Sequence, residues 1–265
     1  MTNCKICASP SELFASATIR GKYQINYFAC SSCRFIQTES PYWLKEAYSE
    51  PINRSDVGYV SRNLSFAKIT KAVITLFFDG KARFIDYGGG WGLFVRLMRD
   101  LGYDFWRSDK FCPNLFAPDF EARLGEGRPF EMLTTFEVFE HLPEPLDEIQ
   151  TMLRHSNNIL FSTILQPATR PNPNEWWYYG LDHGQHVSFY TLASLSAIAR
   201  RFNLHLSSDG CGFHLLSKKP VSPLFFKLAT RNKLAGLLHL VVRSRSLQRA
   251  DHERAVQLPN NPVDK

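Results

Sequence analysis

The stretch FIDYGGGWGLF, residues 84–94, carries an apolar strand into an acid and then into Gly88, Gly89, Gly90 and Gly92. Strand, glycine-rich turn and helix in that order is how open α/β sheets hold nucleotides, because glycine lets the backbone turn sharply and approach a ligand closely. The dinucleotide fingerprint needs a small residue three places after its second glycine. Counted from Gly88 that place holds Leu93, and counted from Gly90 it holds Val95, so the fingerprint fails both ways. What stands here is D-x-G-x-G-x-G, made of Asp86, Gly88, Gly90 and Gly92.

A carboxylate at the strand end repels a pyrophosphate and suits a ligand that carries an ammonium and a sulfonium. S-adenosylmethionine has both and is the expected cofactor. From Val57 to Phe78 the apolar residues recur at mostly helical spacings and stop at Asp79-Gly80, which predicts a helix leading into the strand Arg83–Tyr87. Beyond the loop, WGLFVRLMRDLG, EPLDEIQTMLR and LASLSAIARRF read as helices, and DFWRSD, FEMLTTF and NNILFST as strands. LHLSS and FHLLSKK flank Asp209-Gly210 as a terminal hairpin. The alternation predicts a Rossmann-like, doubly wound α/β sheet that ends in an antiparallel hairpin. Residues 164–190 hold no convincing element, and a loop of that length in a compact domain is usually functional.

Four of the six cysteines are paired, Cys4 with Cys7 in CKIC and Cys30 with Cys33 in CSSC. Two residues inside each pair let both thiolates reach one ion from a tight turn, and two such turns close a tetrahedral zinc site. With four protein ligands the zinc is expected to be structural, in a small N-terminal zinc-ribbon-like module. The chain has 31 basic and 25 acidic side chains, a mildly basic balance that fits nucleic acid, an anionic membrane or phosphorylated substrates without selecting one. Met1–Pro10 shows no secretory signal, and the longest nearly apolar run, Leu234–Val242, is far short of the roughly 20 residues of a spanning helix. These features predict a cytoplasmic protein. The expected organisation is a zinc module over 1–40, a helical linker and cover over 41–80, a cofactor-binding core over 81–220 and a basic amphipathic tail over 221–265. The tail predicts either packing on its own domain or peripheral contact with a membrane, and QLPNNPVDK at its end is expected to be disordered.

The order of motifs resembles class I S-adenosylmethionine-dependent methyltransferases over about residues 55–218. DYGGGWG is similar to the family's first motif. GYDFWRSDKF places Asp109 where the family has an acid that binds the ribose hydroxyls. FEMLTTFEVFEHLPEPL is similar to the fourth strand and its continuation, and the resemblance sets Phe136 beside the cofactor. Trp91 departs from the small residue common in the first motif. Together with the cysteine pairs, the chain resembles bacterial small-molecule methyltransferases with an N-terminal four-cysteine domain. Some of these methylate sugars at carbon but carry a large additional C-terminal domain, for which residues beyond 220 leave no room. The resemblance implies methyl transfer to a small polar acceptor, sugar-, polysaccharide- or natural-product-like, with no specific nucleic acid as partner.

Methyl transfer is an in-line displacement, so the enzyme aligns the partners and supplies a base only where the acceptor holds its proton. His183 and His186, in NEWWYYGLDHGQHVSFY, are the candidate bases, beside aromatics that suit a pocket wall. Glu137, Glu140 and His141 in EVFEHL are spaced to share one side of a helical turn, with Glu137 the candidate positioning carboxylate. This stretch is also similar to quinone-pathway O-methyltransferases, which implies a divalent cation there. Tyr59 and Arg62 are placed to reach the cofactor's carboxylate. Two alternatives stay open: a zinc-fronted RNA methyltransferase, and a zinc-ribbon binding protein on a degenerate core. FEVF in place of N-P-P-[FY] argues against base-amine methylation, and the joint presence of Asp86, the glycines and Asp109 argues against a dead pocket.

Overall fold

Two sheets organise the described residues. The computed structural model describes residues 2–48, 56–122, 129–242 and 244–257. The larger sheet contains β5 (Arg83–Tyr87), β6 (Asp104–Ser108), β7 (Met132–Thr135), β8 (Ile159–Ser162), β10 (His205–Ser208) and β11 (Phe213–Ser217), in the order β10-β11-β8-β7-β5-β6. The four strands β6, β5, β7 and β8 run parallel, and β11 and β10 close the sheet antiparallel. This is the expected doubly wound sheet with its terminal hairpin.

Alternation along the strands builds a core on each face, because successive side chains point to opposite sides. Phe84, Met132, Leu160 and Leu215 pack with α2 (Tyr59–Phe77) and α3 (Leu93–Asp100). Ile85, Leu133, Ile159 and Leu216 pack with α4 (Pro145–Leu153) and α5 (Leu192–Arg201). Thr191 caps α5 by accepting from Ser194 N, and the Ser194 hydroxyl reciprocates toward the Thr191 backbone.

The smaller sheet comes from the N-terminal region and holds β1 (Thr2–Asn3), β2 (Pro10–Ile19), β3 (Tyr23–Cys30) and β4 (Ile36–Thr38). Its fifth strand is β9 (Ser188–Phe189), drawn from the segment read as a bare loop. That segment also contains a 3₁₀ turn at Trp177–Tyr179. Two residues are too few to leave a periodic signature in sequence, so β9 is visible only through its partner. A short helix, α1 (Leu44–Ala47), follows the module.

The described residues of the tail form three helices, α6 (Pro223–Ala229), α7 (Asn232–Val241) and α8 (Gln248–Gln257). Phe226, Ala229 and Ala235 are buried in the core facing α2, and Lys71 of α2 donates to the carbonyls of His239 and Val242 at the end of α7. Leu224, Phe225, Leu237 and Val241 face outward. The terminal stretch expected to be disordered lies, after Gln257, outside the described residues. No described helix is long and apolar enough to cross a membrane.

Candidate active site

The glycine loop leaves β5 with Gly88, Gly90 and Gly92 all at positive φ. Gly92 is the critical one: at φ +83° it caps α3, and a Cβ there would lie 2.3 Å from Asn114 Oδ1. Asp109, just past the end of β6, organises the loop. Its Oδ2 accepts from Gly90 N at 2.9 Å, and its Oδ1 accepts from the backbone N–H groups of Phe111 and Cys112 at 2.7 and 2.8 Å. The acid and the glycines named from sequence are therefore brought together.

Asp86 is buried beneath the loop, and its Oδ1 accepts from Thr134 Oγ1 at 2.7 Å. Burial pushes its carboxyl up to about 7, and neighbouring Asp109 pushes the same way against Thr134 and Arg107. A cationic ligand would restore the charge that burial opposes. Phe136 follows β7 directly, stacked on Phe66 with centroids 4.5 Å apart and edge-on to Phe94. Phe66 also lines a cavity of about 300 Å³ with Arg62, Ile69 and Phe213. Tyr59 sits edge-on to Trp91, and its hydroxyl is 3.4 Å from where a Cβ on Gly90 would stand. Arg62 instead pairs with Asp56 at 2.7 Å. The cavity is thus lined by aromatics and Arg62, while the carboxylates of Asp86 and Asp109 lie at the foot of the glycine loop.

Past β7 the chain takes a strained course: Glu137 has φ +55°, uncommon for a residue with a side chain. Ser162 holds it there, its Oγ accepting from Glu137 N at 2.8 Å and donating to Glu137 Oε1 at 2.6 Å. The backbone departs from helical geometry at Glu137, so the expected single face of Glu137, Glu140 and His141 does not form. Only Glu140 and His141 share the 3₁₀ turn Phe139–His141.

The long loop supplies the third member. Ligand atoms of Glu140, His141 and His186 all lie within 4.8 Å of one another. His186 donates Nδ1–H to Tyr178 O at 2.6 Å, which leaves Nε2 with a free lone pair. His141 Nδ1 lies 2.9 Å from Tyr48 Oη and 3.2 Å from Gln185 O. A hydrogen on Nδ1 serves both oxygens and again frees Nε2. Burial lowers the His141 imidazole to about 4, and burial with His141 and His183 nearby holds His186 well below its usual range, so both rings are neutral. Glu140 is fully buried, and no donor meets its carboxylate oxygens at full hydrogen-bond geometry, although the Tyr178 and Thr163 hydroxyls lie near enough to favour its charged form. Burial first, and then Glu137, pushes its carboxyl up to about 8.

His183 packs edge-on to His186 with ring centroids 4.8 Å apart. Gly180, at φ +59°, makes room: a Cβ there would stand 2.3 Å from His183 Nε2. His183 Nδ1 accepts from Gln185 N at 3.1 Å, and its Nε2 faces Asp182 at 4.0 Å. His183 is therefore at the edge of the cluster and His186 at its centre. Sequence reasoning missed Tyr48, which holds His141, and Ser162, which holds Glu137; neither lies in a motif.

In the N-terminal module the four sulfurs converge. Cys4 and Cys33 are 3.6 Å apart, Cys7 and Cys30 3.4 Å, and Cys7 and Cys33 3.5 Å. Ala8 and Arg34 take positive φ just after each pair, closing two tight turns. Backbone N–H groups of Ile6, Ser32 and Cys33 point at the sulfurs of Cys4 and Cys30. The contact between Cys4 and Cys33 lowers the Cys4 thiol and raises that of Cys33, so the pair shares one proton. Four close sulfurs with thiolate-favouring donors fit a tetrahedral metal ion.

The profile of a family described as a methyltransferase domain matches residues 61–208. The chain belongs to this methyltransferase-domain family. Among solved structures it is similar to the plantazolicin methyltransferase BpumL in complex with SAH, at 11% identity and a TM-score of 0.48, covering 68% of this chain and 95% of that one. It is also similar to an O-methyltransferase family 2 protein from Planctomyces limnophilus DSM 3776 in complex with apigenin, at 14% identity and a TM-score of 0.45, covering 66% of this chain. A third is human N-acetylserotonin methyltransferase in complex with SAM, at 14% identity and a TM-score of 0.42, covering 67% of this chain and 66% of that one. The chain spans 65% of the length of the Planctomyces protein and 60% of that of the mitomycin 7-O-methyltransferase MmcR. No curated protein matches the chain.

Proposed function

We propose that the protein transfers a methyl group from S-adenosylmethionine to a small polar acceptor, sugar-, polysaccharide- or natural-product-like. The observation that carries this reading is the junction of two constellations at the end of β7: the glycine loop with Asp86 and Asp109, and the cluster of neutral histidines with Glu140. Asp86, Gly88, Gly90, Gly92, Asp109 and Phe136 would hold the cofactor, which supplies an electrophilic methyl on a sulfonium. His186 offers a neutral Nε2 lone pair that can take the acceptor's proton, with His141 and His183 beside it and Glu137 fixed against Ser162 as a positioning carboxylate. The aromatic wall around Tyr178 excludes water from this base. Cys4, Cys7, Cys30 and Cys33 would hold a structural zinc.

Calorimetric titration of the zinc-loaded chain with S-adenosylmethionine tests the reading. Micromolar binding that weakens roughly tenfold, about 1.4 kcal/mol, in Asp109→Ala supports it; no binding to folded wild type refutes it. A second reading of the acceptor site rests on Glu140, whose buried oxygens face two free imidazole nitrogens: a divalent cation among Glu140, His141 and His186 would acidify a hydroxyl directly. Glu137, tied to Ser162, stands outside that donor set. One equivalent of Co²⁺ bound to protein already zinc-filled at its cysteines, and lost in Glu140→Gln, would favour the cation over the free base. Acceptor screening on the same protein, with salt-dependent RNA retention as the control, decides between a small molecule and nucleic acid.

A further inference from the structure

The four-cysteine module is built into the loop that carries the histidines. Strand β9 begins two residues after His186 and pairs with β4, matching Ile36 with Phe189 and Gln37 with Ser188. Upstream of it, Arg20 N donates to Leu181 O at 2.7 Å, Trp43 Nε1 to Gly184 O at 2.8 Å and Gln185 Nε2 to Ala47 O at 2.8 Å. Thr38 N donates to Val187 O at 3.1 Å. Downstream, the Thr191 hydroxyl donates to the carbonyl of Cys33 itself at 2.7 Å. A shared apolar cluster joins Ile19, Ile25, Tyr27 and Trp43 of the N-terminal region to Tyr178, Tyr179, Val187 and Phe189.

The cofactor loop is held by a different set of contacts. Gly90 binds Asp109, Gly88 abuts Val138, and Gly92 abuts Asn114, all within the larger sheet and its connections. The histidine loop is held from two sides, since Val187 N also donates to Glu140 O at 2.8 Å, Ser188 Oγ to Leu142 O at 2.7 Å and Tyr190 Oη to Phe139 O at 3.0 Å; upstream of Val187 it bonds the N-terminal region through Leu181, Gly184 and Gln185.

We propose that the four-cysteine module is a positioning element of the acceptor site: its sheet edge seats the 180–191 loop, so that metal loss displaces His183 and His186 and spares the cofactor loop. A small sheet closed by two cysteine turns depends on its ion for folding, and its edge strand is the template for β9. Calling this loop the acceptor side rests on the proposed function; the physical coupling does not.

Hydrogen exchange read by mass spectrometry tests the proposal on the full chain, zinc-loaded and after chelation, with S-adenosylmethionine titration of both states. On zinc loss, residues 180–190 are expected to lose protection together with 4–38, by roughly tenfold or more, while 84–108 hold theirs and cofactor affinity stays within about twofold. Retained protection at 180–190 while 4–38 open overturns the coupling, and collapse of the whole chain with loss of cofactor binding overturns the separation. Trp43→Phe in the zinc-loaded chain keeps an aromatic ring in place while removing the indole N–H and part of its volume, and is expected to raise exchange most at 183–186; no change there also counts against the proposal. If the loop responds and the cofactor binds neither state, the coupling stands and the methyl-transfer reading falls.

Discussion

Tyr48 Oη lies 2.9 Å from His141 Nδ1 while its ring stacks on Phe111, two residues beyond Asp109. One side chain from the linker thus touches both a histidine of the acceptor cluster and the turn that organises the cofactor loop. Tyr48→Phe keeps the stack and removes the hydroxyl. It is expected to leave S-adenosylmethionine affinity within about twofold and to cut turnover roughly tenfold, whereas Tyr48→Ala weakens both. Calorimetry beside initial rates separates the two.

Asp86 gives cofactor binding a pH signature. Its folded carboxyl, raised to about 7, keeps a proton that the unfolded chain releases near 4, so its stabilising contribution is full in acid and is lost as pH rises through 7. A cationic cofactor pulls that proton off. Binding at pH 7 is expected to release about half a proton, falling toward none at pH 9. Calorimetry in buffers of different ionisation enthalpy reads the release, and Asp86→Asn should abolish it.

Glu140 has a raised carboxyl for the same reason, at about 8. Its contribution is present below the ordinary carboxylate range and is lost as pH rises through 8, because the unfolded acid ionises first. Glu140→Gln is always neutral. At pH 4 the variant and wild type should melt together; at pH 9 the variant should melt higher. Equal melting at both values would show that Glu140 is ionised and compensated in the fold.

Asp251 of α8 is buried and receives Arg99 through two nitrogens, at 2.9 and 2.7 Å, and Arg96 at 2.9 Å. Removing the acid leaves the Arg99 guanidinium buried without this pair, although Asp104 still contacts it. Asp251→Ala is expected to cost about 2 kcal/mol, below the usual penalty for breaking a buried pair because of that remaining contact. Urea denaturation measures it.

What sequence carried well was local. The glycines with Asp86 lie on one strand-to-turn unit, and the cysteine pairs lie on two turns, so spacing alone announces them. Asp109 follows from a fixed strand offset. What it carried poorly depends on residues far apart along the chain. Helical spacing groups Glu137 with Glu140, but the Ser162 bonds at a distant strand end hold it in a left-handed conformation that no helical count allows. Arg62 found Asp56 rather than the cofactor side. Tyr48, Gln185 and Thr191 act through isolated long-range hydrogen bonds, and such bonds have no periodic trace. Separating the core from its tail at residue 220 also cuts across packing, since Phe226 and Ala235 lie in the same apolar cluster as Phe84 and Met132.

That packing sets how short the polypeptide can be made. After α7 the chain returns over the turn between α3 and β6, where a Cβ on Gly102 would stand 2.5 Å from Arg245 O, and Leu247 N donates to Arg99 O at 3.1 Å. Trimming at the end of the hairpin would strip one face of the core and uncover Arg99 in a single cut. The minimal unit that keeps both faces closed runs through Asp251, so the segment that looks most dispensable by composition is the one that finishes the barrier between core and water.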